Sequence, residues 1–147
     1  MKKIVLILST LLMLGGQAFA QKDLHSREAF RGGIISKKEM VRTEVKGGSL
    51  SSYKLAYYLG VSAPATTEQV SRLAALVEAD SEGALLSEME KTADLLTYAL
   101  IEPKGNGKYH RYLCWQARPD GDRWKVTLLY LEGQATVEEL KNMFKKQ

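Results

Sequence analysis

The stretch Lys108–Glu132, KYHRYLCWQARPDGDRWKVTLLYLE, decides how this chain folds. Two runs rich in aromatic and β-branched residues, one ending at Arg118 and one starting at Arg123, flank Pro119-Asp120-Gly121-Asp122. That composition reads as two antiparallel strands joined by a tight turn. If Asp120-Gly121 forms a two-residue primed turn, Pro119 faces Asp122, Trp115 lies opposite Val126 and Leu113 opposite Leu128. The same face gathers Ala117, Trp124 and Tyr130. The reverse face, with Cys114 opposite Thr127, Tyr112 opposite Leu129 and Gln116 opposite Lys125, is less apolar.

Working outward, Leu95–Glu102 is a third strand-like run, set off by Pro103-Lys104-Gly105-Asn106-Gly107, so the three form a meander. Nearer the amino terminus, Met40 to Lys46 alternates Val41, Thr43 and Val45 against Arg42 and Glu44, the period of a half-buried strand. Gly47-Gly48 turns the chain into Leu50–Val61. There Tyr53, Leu55, Tyr57 and Leu59 share one side and favour a paired strand; a helix capped by Ser51 or Ser52 and ended by Gly60 is the rival.

Thr66-Thr67-Glu68-Gln69 fits a capping box, and Val70, Leu73, Ala74 and Val77 follow at i, i+3, i+4 and i+7. The stripe weakens at Asp80, Ser81 and Gly83 and resumes with Ala84, Leu85, Met89 and Ala93. One long helix over 67–93 is the preferred reading, two shorter ones the alternative. Thr136-Val137-Glu138-Glu139 is a second capping box, opening a terminal helix with Val137, Leu140, Met143 and Phe144 on one stripe. The predicted order is strand, strand, helix, three strands, helix. This is an α+β fold, an antiparallel sheet of about five strands with helices packed on one face.

A chain of 147 residues with 45% hydrophobic and 26% charged content suits one globular domain, here residues 39–147. Residues 21–38 read as a flexible amino-terminal arm anchored by Leu24, Phe30, Ile34 and Ile35. Residues 1–20 carry Lys2 and Lys3, an apolar run Ile4–Leu14 and Ala18-Phe19-Ala20, the pattern of a secretory signal peptide. Gln21 in place of Cys after the cut gives no support to a lipid anchor. Cleavage removes two basic residues and no acidic one, leaving 127 residues with 19 basic against 17 acidic side chains. A charge so close to zero gives little field for steering a polyanion, so nucleic acid is not expected as a partner. No later apolar run approaches the ~18 residues of a membrane-spanning helix. Cys114 is the single cysteine, so no internal disulfide can form.

Catalytic patterns are sparse. His110 and Cys114 sit four apart on one strand, roughly 13 Å between Cα atoms at ~3.3 Å per residue, beyond the reach a thiol nucleophile needs from its base. Two His and one Cys lack the paired spacings of a zinc site, so no metal is expected. Asp120 with Asp122 lies in a turn and Glu138 with Glu139 in a helix first turn, where carboxylates serve local backbone. Gly105-Asn106-Gly107 and Gly47-Gly48 lack the context of a phosphate cradle, and no Ser lies in a Gly-x-Ser-x-Gly elbow. No cofactor is implied. The least ordinary feature is aromatic: Tyr53, Tyr57 and Tyr58, joined by Tyr112 with Arg111 as a polar partner, form the candidate binding surface, with core packing as its competitor.

The leader with Gln21 after it, then Leu50-Ser51-Ser52-Tyr53-Lys54-Leu55, Leu76-Val77-Glu78-Ala79-Asp80, Arg111-Tyr112-Leu113, and the closing run Leu131 to Leu140, resembles small exported Bacteroidota proteins classed as domains of unknown function. The resemblance implies an envelope or secreted location and supplies no catalytic residues. The expected function is a non-enzymatic envelope module that takes a protein or small ligand. A small hydrolase or transferase using Cys114, His110 and Arg111, and a homo-oligomer with its aromatic face buried against a copy, are the alternatives.

Overall fold

In the computed structural model, residues 23–105 and 108–145 are described; the expected leader, residues 1–20, lies outside them. A short helix α1 (Arg27–Phe30) precedes β1 (Val41–Lys46), β2 (Leu55–Ala65), helix α2 (Thr67–Ser81), β3 (Leu86–Thr92), β4 (Leu95–Glu102), β5 (His110–Asp120), β6 (Arg123–Gly133) and helix α3 (Val137–Lys145). The strands form one antiparallel sheet in the order β1-β2-β6-β5-β4-β3.

The β5–β6 turn forms one residue further along than expected, which slips the strand register by two. Asp120 pairs with Arg123, so Trp115 faces Leu128, Leu113 faces Tyr130, Cys114 faces Leu129 and Tyr112 faces Leu131. The turn centres on Gly121-Asp122 because Gly121, at φ +68°, takes the left-handed position that Asp120 would otherwise have to adopt. A slip of two preserves side-chain parity. Leu113, Trp115, Ala117, Val126, Leu128 and Tyr130 therefore share the first face, as the alternation requires, and all are buried.

Helix α2 opens as its sequence predicts. The Gln69 N–H donates to the Thr66 hydroxyl at 3.2 Å, and the Gln69 side-chain oxygen accepts from the Thr66 N–H at 2.9 Å. Val70, Leu73, Ala74 and Val77 all face the core. The helix stops at Ser81, however, and Leu86–Thr92 is a strand, which makes six strands rather than five. Glu, Met and Lys favour a helix there, but pairing with β4 supplies a ladder of backbone bonds that outweighs propensity. The hairpin closes through Ala93 and Asp94, both left-handed at φ +50° and +69°. Helix α2 thus carries the chain from β2 to the far edge of the sheet.

Helices also cover both faces rather than one. On the first face the core gathers Val70, Leu73 and Val77 from α2 over Leu59, Ile101, Leu113, Trp115 and Tyr130. Residues 23–38, expected as an arm, contribute Leu24, Ala29, Phe30 and Ile35 to this core. Asp80 at the end of α2 holds them there. Its carboxylate accepts the His25 N–H at 2.5 Å and the Ser26 N–H at 3.0 Å. On the second face Leu100, Tyr112, Leu131 and Leu140 form a separate, smaller cluster under α3.

Candidate functional site

The second face holds an open groove of ≈ 590 Å³, walled by the 3₁₀ segment Gly48–Tyr53, the start of β2, Leu131 of β6, and Leu140 and Met143 of α3. Its shape follows from how the chain enters β2. Lys54, left-handed at φ 60°, ends the 3₁₀ turn. An irregularity between Leu55 and Tyr57 then swings Leu55 onto the second face beside Tyr58. The Lys54 carbonyl accepts the Gln134 N–H at 2.9 Å and the Ala135 N–H at 3.0 Å, tying the exit of β6 to the entry of β2.

Gly133 makes that tie feasible. A Cβ there would lie 2.4 Å from the Lys54 carbonyl oxygen and 2.6 Å from the Leu55 Cα, both backbone atoms. At Gly60 a Cβ would meet the Leu129 side chain at 2.8 Å and the Tyr58 hydroxyl at 3.1 Å, so the missing side chain lets both close over the strand.

The groove is mainly apolar, through Leu50, Leu55, Leu131, Leu140 and Met143, with polar groups at its rim. Lys54 pairs with Glu139 at 2.5 Å. The same Glu139 caps α3 by accepting the Thr136 N–H at 3.0 Å, and the Lys54 bond above all holds its carboxyl below the usual range. Tyr53, 52% exposed, and Tyr58, half-buried, present hydroxyls that have no hydrogen-bond partner among the described residues. Desolvation raises the Tyr58 pKa, with Cys114 adding to it, so the phenol stays protonated as both donor and acceptor.

Of the five sequence-predicted binding residues, the structure brings Tyr53 and Tyr58 together here. It places the others elsewhere. Tyr57 is buried on the first face, edge-on to Tyr130 with ring centroids 6.2 Å apart, and donates to Glu44 at 2.7 Å. Tyr112 lies beneath α3, wholly buried, and donates to the Ala135 carbonyl at 2.7 Å. Arg111 faces Asp23 at 2.7 Å, the Tyr130 hydroxyl at 2.9 Å and the Lys104 carbonyl at 2.8 Å, a clamp on the amino-terminal segment. Parity turns Tyr57 and Arg111 to the first face, whereas Tyr112 shares the second face with Tyr58 and is covered by α3.

The catalytic alternative fares similarly. Cys114 and His110 share the second face, but Arg111 lies on the first. His110 bonds Glu102 at 2.8 Å and stacks on Tyr112 with centroids 6.0 Å apart. Cys114 belongs to a half-buried residue, yet desolvation pushes its thiol up to about 12, away from the thiolate a nucleophile needs. No cluster of three or more metal-ligating side chains occurs among the described residues. No described helix is long and apolar enough to cross a membrane.

Sequence reading missed Lys54, Gly133, Glu139 and Met143 as parts of one site. The Glu132-Gly133 strand end and the Thr136–Glu139 capping box were visible signals. What they lacked was the tertiary link to Lys54.

Fold and groove together define a small α+β protein, one antiparallel sheet packed on both faces, with a mainly apolar recess beside its terminal helix. The chain belongs to a family of unknown function, DUF6108, whose model matches residues 13–144. No curated protein and no solved structure matches it.

Proposed function

We propose that this protein is an exported, non-enzymatic binding module of a Bacteroidota cell envelope that takes a small, largely apolar ligand in the groove between Gly48–Tyr53 and α3. The carrying observation is the groove itself. A volume of ≈ 590 Å³ falls within the range of small-molecule sites, and its lining combines apolar walls with a few convergent polar groups, as such sites do. The leader-like residues 1–20 support export, and the near-neutral charge after their removal argues against a polyanion.

The test is a ligand-observed NMR screen of small apolar compounds carrying hydrogen-bonding groups. Expected are hits that Tyr53→Ser and Tyr58→Ser each weaken and that Gln116→Ala, outside the groove lining, leaves unchanged. Hits indifferent to both tyrosines would overturn the site assignment. Capture of one envelope protein, lost in the same two variants, would replace the small ligand by a protein.

A further inference from the structure

The root and the body of α3 are fastened by different physics. At the root, the Gln134 and Ala135 N–H groups both donate to the Lys54 carbonyl, and the buried Tyr112 hydroxyl donates to the Ala135 carbonyl at 2.7 Å. Gly133 lies directly against the Lys54–Leu55 backbone. These contacts are uncharged, and the Tyr112–Ala135 bond is buried, so salt leaves them alone. Along the body, Leu140 is the one fully buried side chain among those described, with Val137 and Met143 partly covered. Among the described side chains, two ion pairs add to this, Lys54–Glu139 at 2.5 Å and Lys141–Glu88 at 2.7 Å. All four charged side chains are a third or more exposed, so solvent and salt screen them.

A helix of nine residues does not persist in water without docking, because isolated helices below ~12–15 residues are marginal. One flank of α3 borders the open groove, where the tie to the opposite wall among the described side chains is the exposed Lys54–Glu139 pair.

We infer that α3 is a hinged wall of the groove, fixed at Gln134-Ala135 and latched along its body by the two surface ion pairs, so that ionic strength sets how often it opens. Opening widens the recess and uncovers Leu131, Leu100 and Tyr112 beneath it. This is regulation of the groove proposed above and takes its purpose from that reading. Its test contains no ligand, so failure of the hinge and failure of the binding reading are distinguishable.

The experiment is amide hydrogen exchange by NMR on the purified protein at about 20 mM and about 500 mM salt. The Lys141, Asn142 and Met143 amides should exchange about three- to tenfold faster at the higher salt, the scale of two screened surface pairs. Gln134, Ala135 and the β5–β6 amides should hold their rates. Glu88→Gln, which leaves α3 itself untouched, should speed the same three amides at low salt. The swapped pair Glu88→Lys with Lys141→Glu should slow them again. Salt-independent exchange of the α3 amides would overturn the latch. Acceleration of Gln134 and Ala135 in step with them would overturn the hinge, and acceleration of β5–β6 would show global opening in its place.

Discussion

Replacing Gly133 by Ala should be among the most damaging single-methyl changes in the molecule. Gly133 pairs with Leu55 on one side and His110 on the other, at the crossing of the β6 exit and the β2 entry. The added Cβ would sit 2.4 Å from the Lys54 oxygen, 2.6 Å from the Leu55 Cα and 3.2 Å from the Ala56 nitrogen. No side-chain rotation relieves contact with backbone, so β2 and β6 must separate. Overpacking of this kind costs about 1–3 kcal/mol. Separation also loosens the two bonds from Gln134 and Ala135 to the Lys54 carbonyl, worth about 0.5–1.5 kcal/mol each. The expected loss is about 2–6 kcal/mol. Gly60→Ala is the control, because its new methyl meets the ends of the Leu129 and Tyr58 side chains, which can turn aside. It should cost about 1 kcal/mol or less. Guanidinium unfolding followed by the fluorescence of Trp115 and Trp124 measures both. A Gly133→Ala variant within about 1 kcal/mol of the parent, or no weaker than Gly60→Ala, would refute the close-approach argument.

Two further predictions concern the core and the thiol. Asp80→Ala leaves the His25 and Ser26 N–H groups without their buried acceptor, which should cost about 2–4 kcal/mol and expose residues 23–38 to limited proteolysis; cleavage at parental rates would show that the apolar anchors suffice. Cys114, its thiol pushed up to about 12 by burial, should react with iodoacetamide at pH 7 at least about a hundredfold more slowly in the native protein than in denaturant, and comparable rates would place the thiol in solvent.

What the sequence made legible was local, and what it hid was tertiary. The β5 and β6 faces, the Thr66–Gln69 box and the α2 stripe each depend on residues within a few positions of one another, and all are present. The hairpin register missed by two because it depended on which residue before Trp124 adopted positive φ. Gly121 does so without a Cβ penalty, whereas Asp120 would not. Strand β3 was hidden because Leu86–Thr92 has helical composition and earns its strand pairing only from β4, and Ala93-Asp94 is an unusual pair for a turn that needs both residues left-handed. The site was half legible. Tyr53 and Tyr58 stood out as aromatics, but alternation alone could not show that an irregularity after Leu55 would set the groove wall, or that Tyr57 would point the other way to Glu44.

The two faces of the sheet differ in a way that bears on function. The first face buries Leu59, Ile101, Leu113, Trp115 and Tyr130 to 1% exposure or less beneath a 15-residue helix and the amino-terminal segment, which Asp80 and Arg111 tie down. Its contacts span strands distant in sequence, so opening any part of it approaches global unfolding. The second face is covered by a helix little more than half as long, and leaves Tyr58, Tyr98 and Cys114 half-buried beside a groove. Local opening there forfeits the Leu140 contacts and screened charges while the first-face core stays closed. A fold divided in this way can vary the lining of its recess, and the hold of the helix beside it, without spending the stability that keeps the sheet together. Substitutions at Tyr53, Tyr58 or Met143 should therefore shift ligand behaviour far more than unfolding midpoint, whereas substitutions at Leu59 or Leu113 should do the reverse.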